Sequence, residues 1–348
     1  MSTQKSKGIT VAVILVLLLA ITGALIIPKL YKKFLKSNTN VTQKTYLYIP
    51  TNATFQQVKD SIIKNNLLID SSTFYSLAKD RGYSSKIKPG KYPFKKGMNN
   101  REILNMLIAG NQEAVKIAFR DVRLKTNFAA MVAKKLEFDS LQLMKLLDSA
   151  DYVKAYGFTT DNVYTMFIPN SYEMYWNMSA PEFFERMNKE YKTFWTAKRL
   201  QEAGALSLTP QEVTILASIV DSEALMDKEM PTIAGLYLNR LNRGIKLEAD
   251  PTVIFANNDF TIRRVLNRHL NKQSPYNTYI NKGLPPGPIT MPSIKAIDAV
   301  LEPKKHDYIY MCAKEDFSGY HNFASNLKEH LINARKFQQA LNERNIKK

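Results

Sequence analysis

Thr209-Pro210-Gln211-Glu212-Val213-Thr214-Ile215-Leu216-Ala217-Ser218-Ile219-Val220-Asp221-Ser222-Glu223 opens like a helix and ends on an acid. Thr209 suits the N-cap, Pro210 the first helical position, and Glu212 completes a capping box. Leu216, Ile219, Val220 and Glu223 then share one stripe, because residues three, four and seven apart lie on one helix face. Glu223 thus takes the next place on an apolar stripe, where a charge is costly unless it is paired or protonated. Asp221, two residues earlier and roughly 200° around the helix, faces elsewhere. An acid set into an apolar face with a raised pKa suits proton donation near neutral pH. An ordinary solvated glutamate is the competing reading.

Working outward, 348 residues with 45% hydrophobic and 11% aromatic content allow two or three domains with a sizeable core. One cysteine, Cys312, excludes an internal disulfide framework, and four histidines without close ligand spacing argue against zinc. No metal and no cofactor are expected. A net charge of +18 suits a polyanionic partner or an anionic lipid surface. The lysines are dispersed and no nucleic-acid motif is present, so a nucleic-acid partner is not expected.

Residues 9–27 form an uncharged apolar run of 19 residues, about the length needed to span a bilayer as a helix. The run exceeds the apolar core of a cleaved signal peptide and passes into Pro28-Lys29-Leu30-Tyr31-Lys32-Lys33 without a small-residue cleavage site. We read residues 1–8 as a cytoplasmic tail, 9–27 as a retained transmembrane helix and 28–44 as a linker. Taken literally, Lys5 and Lys7 against Lys29, Lys32, Lys33 and Lys36 would keep the main body in the cytoplasm.

Residues 45–115 read as a small α+β module. It comprises a strand at Thr45–Ile49, helices over Thr54–Lys64 and Asp70–Lys79, a turn and strand over Ile87–Phe94, and a helix from Asn99 ended by Gly110. Residues 116–348 read as a larger mixed α+β domain. Its first part is helical with an interruption at Met166–Tyr172. The helix carrying Glu223 is followed by another over Met230–Asn242, which stops at Gly244. Beyond come Gly283-Leu284-Pro285-Pro286-Gly287-Pro288-Ile289, expected to shape a cleft wall, a helix over Met291–Leu301, a strand at Tyr308–Met311 and a basic terminal helix.

No phosphate loop, nucleophile elbow or metal triad is present. Carboxylates, aromatics and amides remain, the usual lining of a sugar cleft. Glycoside hydrolysis normally needs two carboxylates. Asp250, in Leu247-Glu248-Ala249-Asp250-Pro251-Thr252-Val253, is the best second candidate, and equally reads as a turn residue. One carboxylate suffices if the substrate brings its own nucleophile, as when a sugar's C6 hydroxyl closes an anhydro ring.

The strings Leu216-Ala217-Ser218-Ile219-Val220-x-x-Glu223, Leu238-Asn239-Arg240-Leu241, Asp250-Pro251-Thr252-Val253, Tyr276-Asn277-Thr278-Tyr279 and Gly283–Ile289 stand in the order found in endolytic murein transglycosylases, the YceG/MltG-like family, which the chain resembles. Phe167-Ile168-Pro169-Asn170-Ser171-Tyr172 resembles that family's upstream cleft motif. Gly319-Tyr320-His321-x-Phe323 with His330 resembles its C-terminal one, and Ile87–Tyr92 through Gly110 its LysM-like module. The resemblance runs over nearly the whole chain from Tyr46.

It implies a lyase anchored in the inner membrane, its catalytic domain on the extracytoplasmic side. The enzyme would cut peptidoglycan glycan strands internally and leave 1,6-anhydro-muramyl ends. Peptidoglycan synthases or divisome proteins are the implied partners. Because peptidoglycan lies outside the cytoplasm, this topology overrides the literal charge reading. The family's catalytic glutamate maps onto Glu223; Asp221, which matches a second acid found in many members, is shorter and off the stripe. Asn239, Arg240, Asp250, Thr252, Tyr276, Asn277, Tyr172 and His321 are the candidate substrate-binding residues. A hydrolase using Glu223 with Asp250, and a non-catalytic wall-binding scaffold, are the alternatives.

Overall fold

Helix caps punctuate the first part of the chain. In the computed structural model, which describes residues 2–344, α1 (Ser2–Phe34) precedes β1 (Thr45–Ile49), α2 (Phe55–Lys64), α3 (Ser71–Asp80), β2 (Gly90–Phe94), α4 (Asn100–Ala109) and β3 (Val115–Phe119). Thr54 and Asn99 form capping boxes with Gln57 and Glu102, and the Asp70 carboxylate accepts from two backbone N–H groups of α3. Gly110, at φ 77°, ends α4 in the left-handed region that glycine adopts freely. β1 and β2 pair antiparallel with Leu47 opposite Tyr92. Both residues bury in a core with Val58, Phe74 and Ile103.

From Val11 to Phe34, α1 is long and apolar enough to cross a membrane, and its large apolar side chains from Val11 to Tyr31 are exposed rather than packed inside the protein. The expected linker at 28–44 starts later than the sequence pattern placed it. Pro28 removes one backbone donor, yet the helix continues through Phe34. Phe34 packs on the core of the first unit. The next residues are held by Asn100, which is fully buried. Its amide donates to the Lys33 carbonyl (3.2 Å) and to Thr73 Oγ1 (3.1 Å), and its oxygen accepts from Asn38 (2.7 Å). Isolated bridges tie Ser37 to Asn99 and Thr39 to Leu68. A buried amide with its hydrogen bonds filled specifies a geometry, so these residues form a collar and not a free tether.

The chain divides into two compact units. One runs to Val115 and includes Glu173–Met178, and the other holds Lys116–Tyr172 and the chain from Ser179. After β3 the chain continues with α5 (Lys125–Ala133), α6 (Ser140–Leu147), α7 (Ala150–Lys154), β4 (Asn170–Met174), α8 (Ala180–Phe194), α9 (Ala197–Ala205), α10 (Pro210–Glu223) and α11 (Met230–Asn242). It closes with α12 (Asp250–Asn257), α13 (Asn267–Leu270), α14 (Ile294–Leu301), β5 (Tyr310–Ala313), β6 (His321–Ala324) and α15 (Leu327–Glu343). Phe128, Phe167 and Phe183 build one aromatic core, with ring centroids 4.6 Å apart for Phe128 and Phe167.

The expected capping box of α10 is present: Thr209 accepts from the Glu212 N–H, and Glu212 accepts from the Thr209 N–H. Val213 through Val220 are buried, so the helix is covered on nearly every side, by α11, α12 and α14 among others. Its last turn, with Ser222 exposed, opens outward. The strand expected at Tyr308–Met311 lies two residues later, as β5, and pairs antiparallel with β6, Ala313 opposite His321.

Candidate active site

The last turn of α10 delivers Glu223 to a cavity of ≈ 310 Å³ within the second unit. α11 contributes Leu236, Tyr237 and Arg240 to its wall. The segment entering α12 adds Leu247, Glu248 and Asp250, and the hairpin with its flank adds Ile309–Ala313 and His321. Tyr279 and His330 complete the lining.

Glu223 is half-buried. Tyr237, itself buried, donates its hydroxyl to Glu223 Oε1 at 3.0 Å, and the backbone N–H of Asp250 donates to the same carboxylate. Burial foremost, and then the negative charge of Asp250, push Glu223 up to about 7, with those two donors pulling the other way. The acid is therefore divided between protonated and ionised forms near neutral pH. Burial of its phenol, with the Glu223 charge second, raises Tyr237 well above the ordinary range, so it remains a neutral donor.

Asp250 opens α12, where its side chain stands exposed in the cavity and accepts from the Tyr279 hydroxyl at 2.6 Å. The surrounding walls raise its carboxyl, and the Tyr279 bond opposes them. Of the two sequence readings of Asp250, turn residue and second carboxylate, the geometry combines parts of both. Its backbone starts a helix, and its carboxylate shares the site with Glu223.

Asp221 goes elsewhere, as the helix geometry requires. It accepts from Ser293 Oγ at 2.6 Å and from the Ser293 N–H at 3.4 Å, joining α10 to the residue that caps α14.

Arg240 lines the cavity but is consumed by structure. Its guanidinium donates to the carbonyls of Lys246 and Ile309, both at 2.7 Å, and pairs with Glu248. Asn239 donates to the carbonyls of His306 (2.7 Å) and Tyr308 (3.0 Å), fixing the approach to β5 rather than lining the cavity. Gly235 allows that approach, since a Cβ there would stand 2.4 Å from the Lys304 carbonyl.

Like Asn239, four further candidates lie off the cavity. Thr252 is fully buried, donating to the Ala249 carbonyl and sharing a 2.8 Å bond with Thr278. Asn277 is fully buried, its amide spent on the carbonyls of Leu270 and Lys272. Tyr172 lies in the aromatic core, stacked on Phe119 and donating to the Ile168 carbonyl. Tyr276 packs on Phe255 and does not line the cavity. Thr252, Asn277 and Tyr172 are polar or amphipathic groups satisfied by carbonyls close by in sequence, which is what burial demands. The Gly283–Ile289 string likewise packs inward. Gly287 admits the Asp161 carbonyl where a Cβ would lie 2.1 Å away, and Ile289 N–H donates to Ser218.

His321 does line the cavity. Its Nδ1 is 2.9 Å from Glu229 Oε2, and its backbone N–H donates to Glu229 Oε1 at 2.9 Å. Sequence reasoning did not nominate Tyr237, Tyr279 or Glu229. The available signal for Tyr237 was its place one turn before Arg240 on the same helix face, and for Tyr279 its place in the Tyr276–Tyr279 string.

A half-buried carboxyl raised toward neutral pH, with a second carboxylate beside it in a polar cavity that also holds tyrosines, is the arrangement acid–base chemistry needs. A model of the YceG-like family matches residues 47–336, and the chain belongs to that family. Over 333 residues it is 28% identical to the endolytic murein transglycosylase of Bacillus subtilis (strain 168), covering 90% of this chain and 91% of that protein. It is 24% identical over 320 residues to the endolytic murein transglycosylase of Streptococcus pneumoniae (strain D39), covering 81% of this chain and 56% of the pneumococcal one. The chain thus spans little more than half of that longer relative. Its fold is similar to the crystal structure of a YceG-like protein from Listeria monocytogenes, with a TM-score of 0.55 at 24% identity, over 84% of this chain and 99% of that one.

Proposed function

We propose that this chain is a membrane-anchored endolytic murein transglycosylase that cleaves the β-1,4 bond between N-acetylmuramic acid and N-acetylglucosamine without water. The observation that carries the reading is Glu223: a half-buried acid lining a cavity beside the Asp250 carboxylate, in a family whose relatives bear that name.

The chemistry follows from one carboxyl group. Protonated Glu223 gives its proton to the glycosidic oxygen as the C1–O4 bond breaks. The muramyl C6 oxygen forms the new C1–O6 bond, and its hydroxyl proton passes to the Glu223 carboxylate. The acid is regenerated and no water is consumed. Tyr237 and the Asp250 N–H stabilise the carboxylate midway through this cycle. The Asp250 charge keeps Glu223 protonated at the start, and it can stabilise positive charge developing at C1.

In this reading α1 crosses the cytoplasmic membrane once, with residues from 35 onward outside, and residues 45–115 form the LysM-like module. The basic surface suits an anionic wall polymer and an anionic bilayer. Peptidoglycan synthases or divisome proteins fit as partners that supply nascent strands. Digestion of purified peptidoglycan in isotopically labelled water tests the reaction class. A transglycosylase leaves the label out of the new ends, and a hydrolase using Asp250 incorporates it.

A further inference from the structure

Glu229 ends a 3-10 turn, Asp227–Glu229, immediately before α11, and is only 7% exposed. Both of its oxygens are used on one residue, the backbone N–H and the ring Nδ1 of His321. A carboxylate offers only acceptors, so Nδ1 must carry the hydrogen in this contact. In the neutral ring, Nε2 is then a hydrogen-bond acceptor. Among the described residues no protein group bonds Nε2, while the His321 side chain, 15% exposed, lines the same cavity as Glu223. One buried carboxylate therefore fixes the strand, the ring plane and the tautomer together, more constraint than a strand end needs.

We infer that His321 binds substrate, its Nε2 accepting a hydrogen bond from a sugar hydroxyl of the glycan, and that Glu229 is the positioning residue that keeps Nε2 an acceptor. The inference rests on the glycan-cleaving function proposed above. Sugars present hydroxyl donors at every ring, and the one guanidinium lining this cavity, Arg240, is already engaged by protein carbonyls and Glu248. In its neutral form an imidazole held in this tautomer supplies the complementary acceptor.

Two substitutions separate this role from simple pinning of β6. Asparagine in place of histidine puts its amide where Nδ1 stands, and glutamine puts its amide where Nε2 stands. Steady-state cleavage of purified glycan strands by the full chain, with thermal unfolding of each variant, decides between them. His321→Asn should keep the wild-type melting temperature and lose about 10-fold in kcat/KM, mainly through KM; His321→Gln should lose no more than about 3-fold. Glu229→Gln, which replaces one acceptor with a donor, should raise KM similarly, and adding it to His321→Gln should cost no further activity. The inference is overturned if His321→Asn cuts like wild type, or if glutamine is the worse replacement. If the wild-type chain cuts no glycan at all, the proposed function itself is what fails.

Discussion

Asp221 and Glu223 sit in the same final turn of α10, yet the two faces of that turn treat a carboxylate differently. On one face Asp221 meets two donors of Ser293 and serves as a joint between α10 and the start of α14. On the other, Glu223 meets a phenol, a backbone N–H and the negative charge of Asp250, and opens into the cavity. Burial raises both acids. What differs is the company: Asp221 is engaged by the serine that caps α14, whereas Glu223 lines a cavity with room for a substrate. Burial alone therefore does not mark a catalytic acid.

The largest expected effect comes from removing the proton donor. Glu223→Gln should lower cleavage roughly 1,000-fold while leaving glycan binding intact, measured by product release beside a pull-down on insoluble peptidoglycan. The same variant should be more stable than wild type at pH 8. Glu223 is raised in the folded state, so its penalty is absent below about pH 4.5, the unfolded value, and complete above about 7, the folded one. Removing that charge should stabilise the chain by about 1–3 kcal/mol at pH 8 and by almost nothing at pH 4, as read by denaturant titration.

Intermediate effects should appear as opposed shifts of the pH profile. Asp250→Asn removes the charge that raises Glu223, so the fall of kcat/KM with rising pH should move to lower pH. Tyr237→Phe removes a donor that lowers it, so the same limb should move to higher pH, with a rate loss of about 10-fold. Limbs that move in the same direction would break the electrostatic account of Glu223. The smallest effect belongs to Asp221→Asn. The amide still accepts from the Ser293 hydroxyl, so cleavage should stay at the wild-type rate and stability should fall by no more than about 1 kcal/mol.

The same turn shows what could be read in advance. Its start was written in Thr209, Pro210 and Glu212, and the separation of the two acids in helical periodicity, because both depend on neighbours along one helix. Asp250 was readable as a second carboxylate, but Tyr237 and the Asp250 N–H were not legible as donors to Glu223, since they reach it from other segments and no local pattern records which atoms converge. The burial of Thr252 and Asn277 was not legible for a related reason: a polar residue in an ordered motif looks the same whether it faces a cavity or satisfies a buried loop. The first unit gives the parallel case. Its caps and strands followed from local sequence, but the collar built on Asn100 joins residues 33, 38, 73 and 100, and a polar stretch there read as a linker.

The mass spectrum of purified peptidoglycan digested by wild type, Asp221→Asn and Glu223→Gln tests the central claim most directly. The account predicts 1,6-anhydro-muramyl ends from the first two proteins and no new ends from the third. New ends from Glu223→Gln at the wild-type rate, or their loss in Asp221→Asn alone, would contradict it.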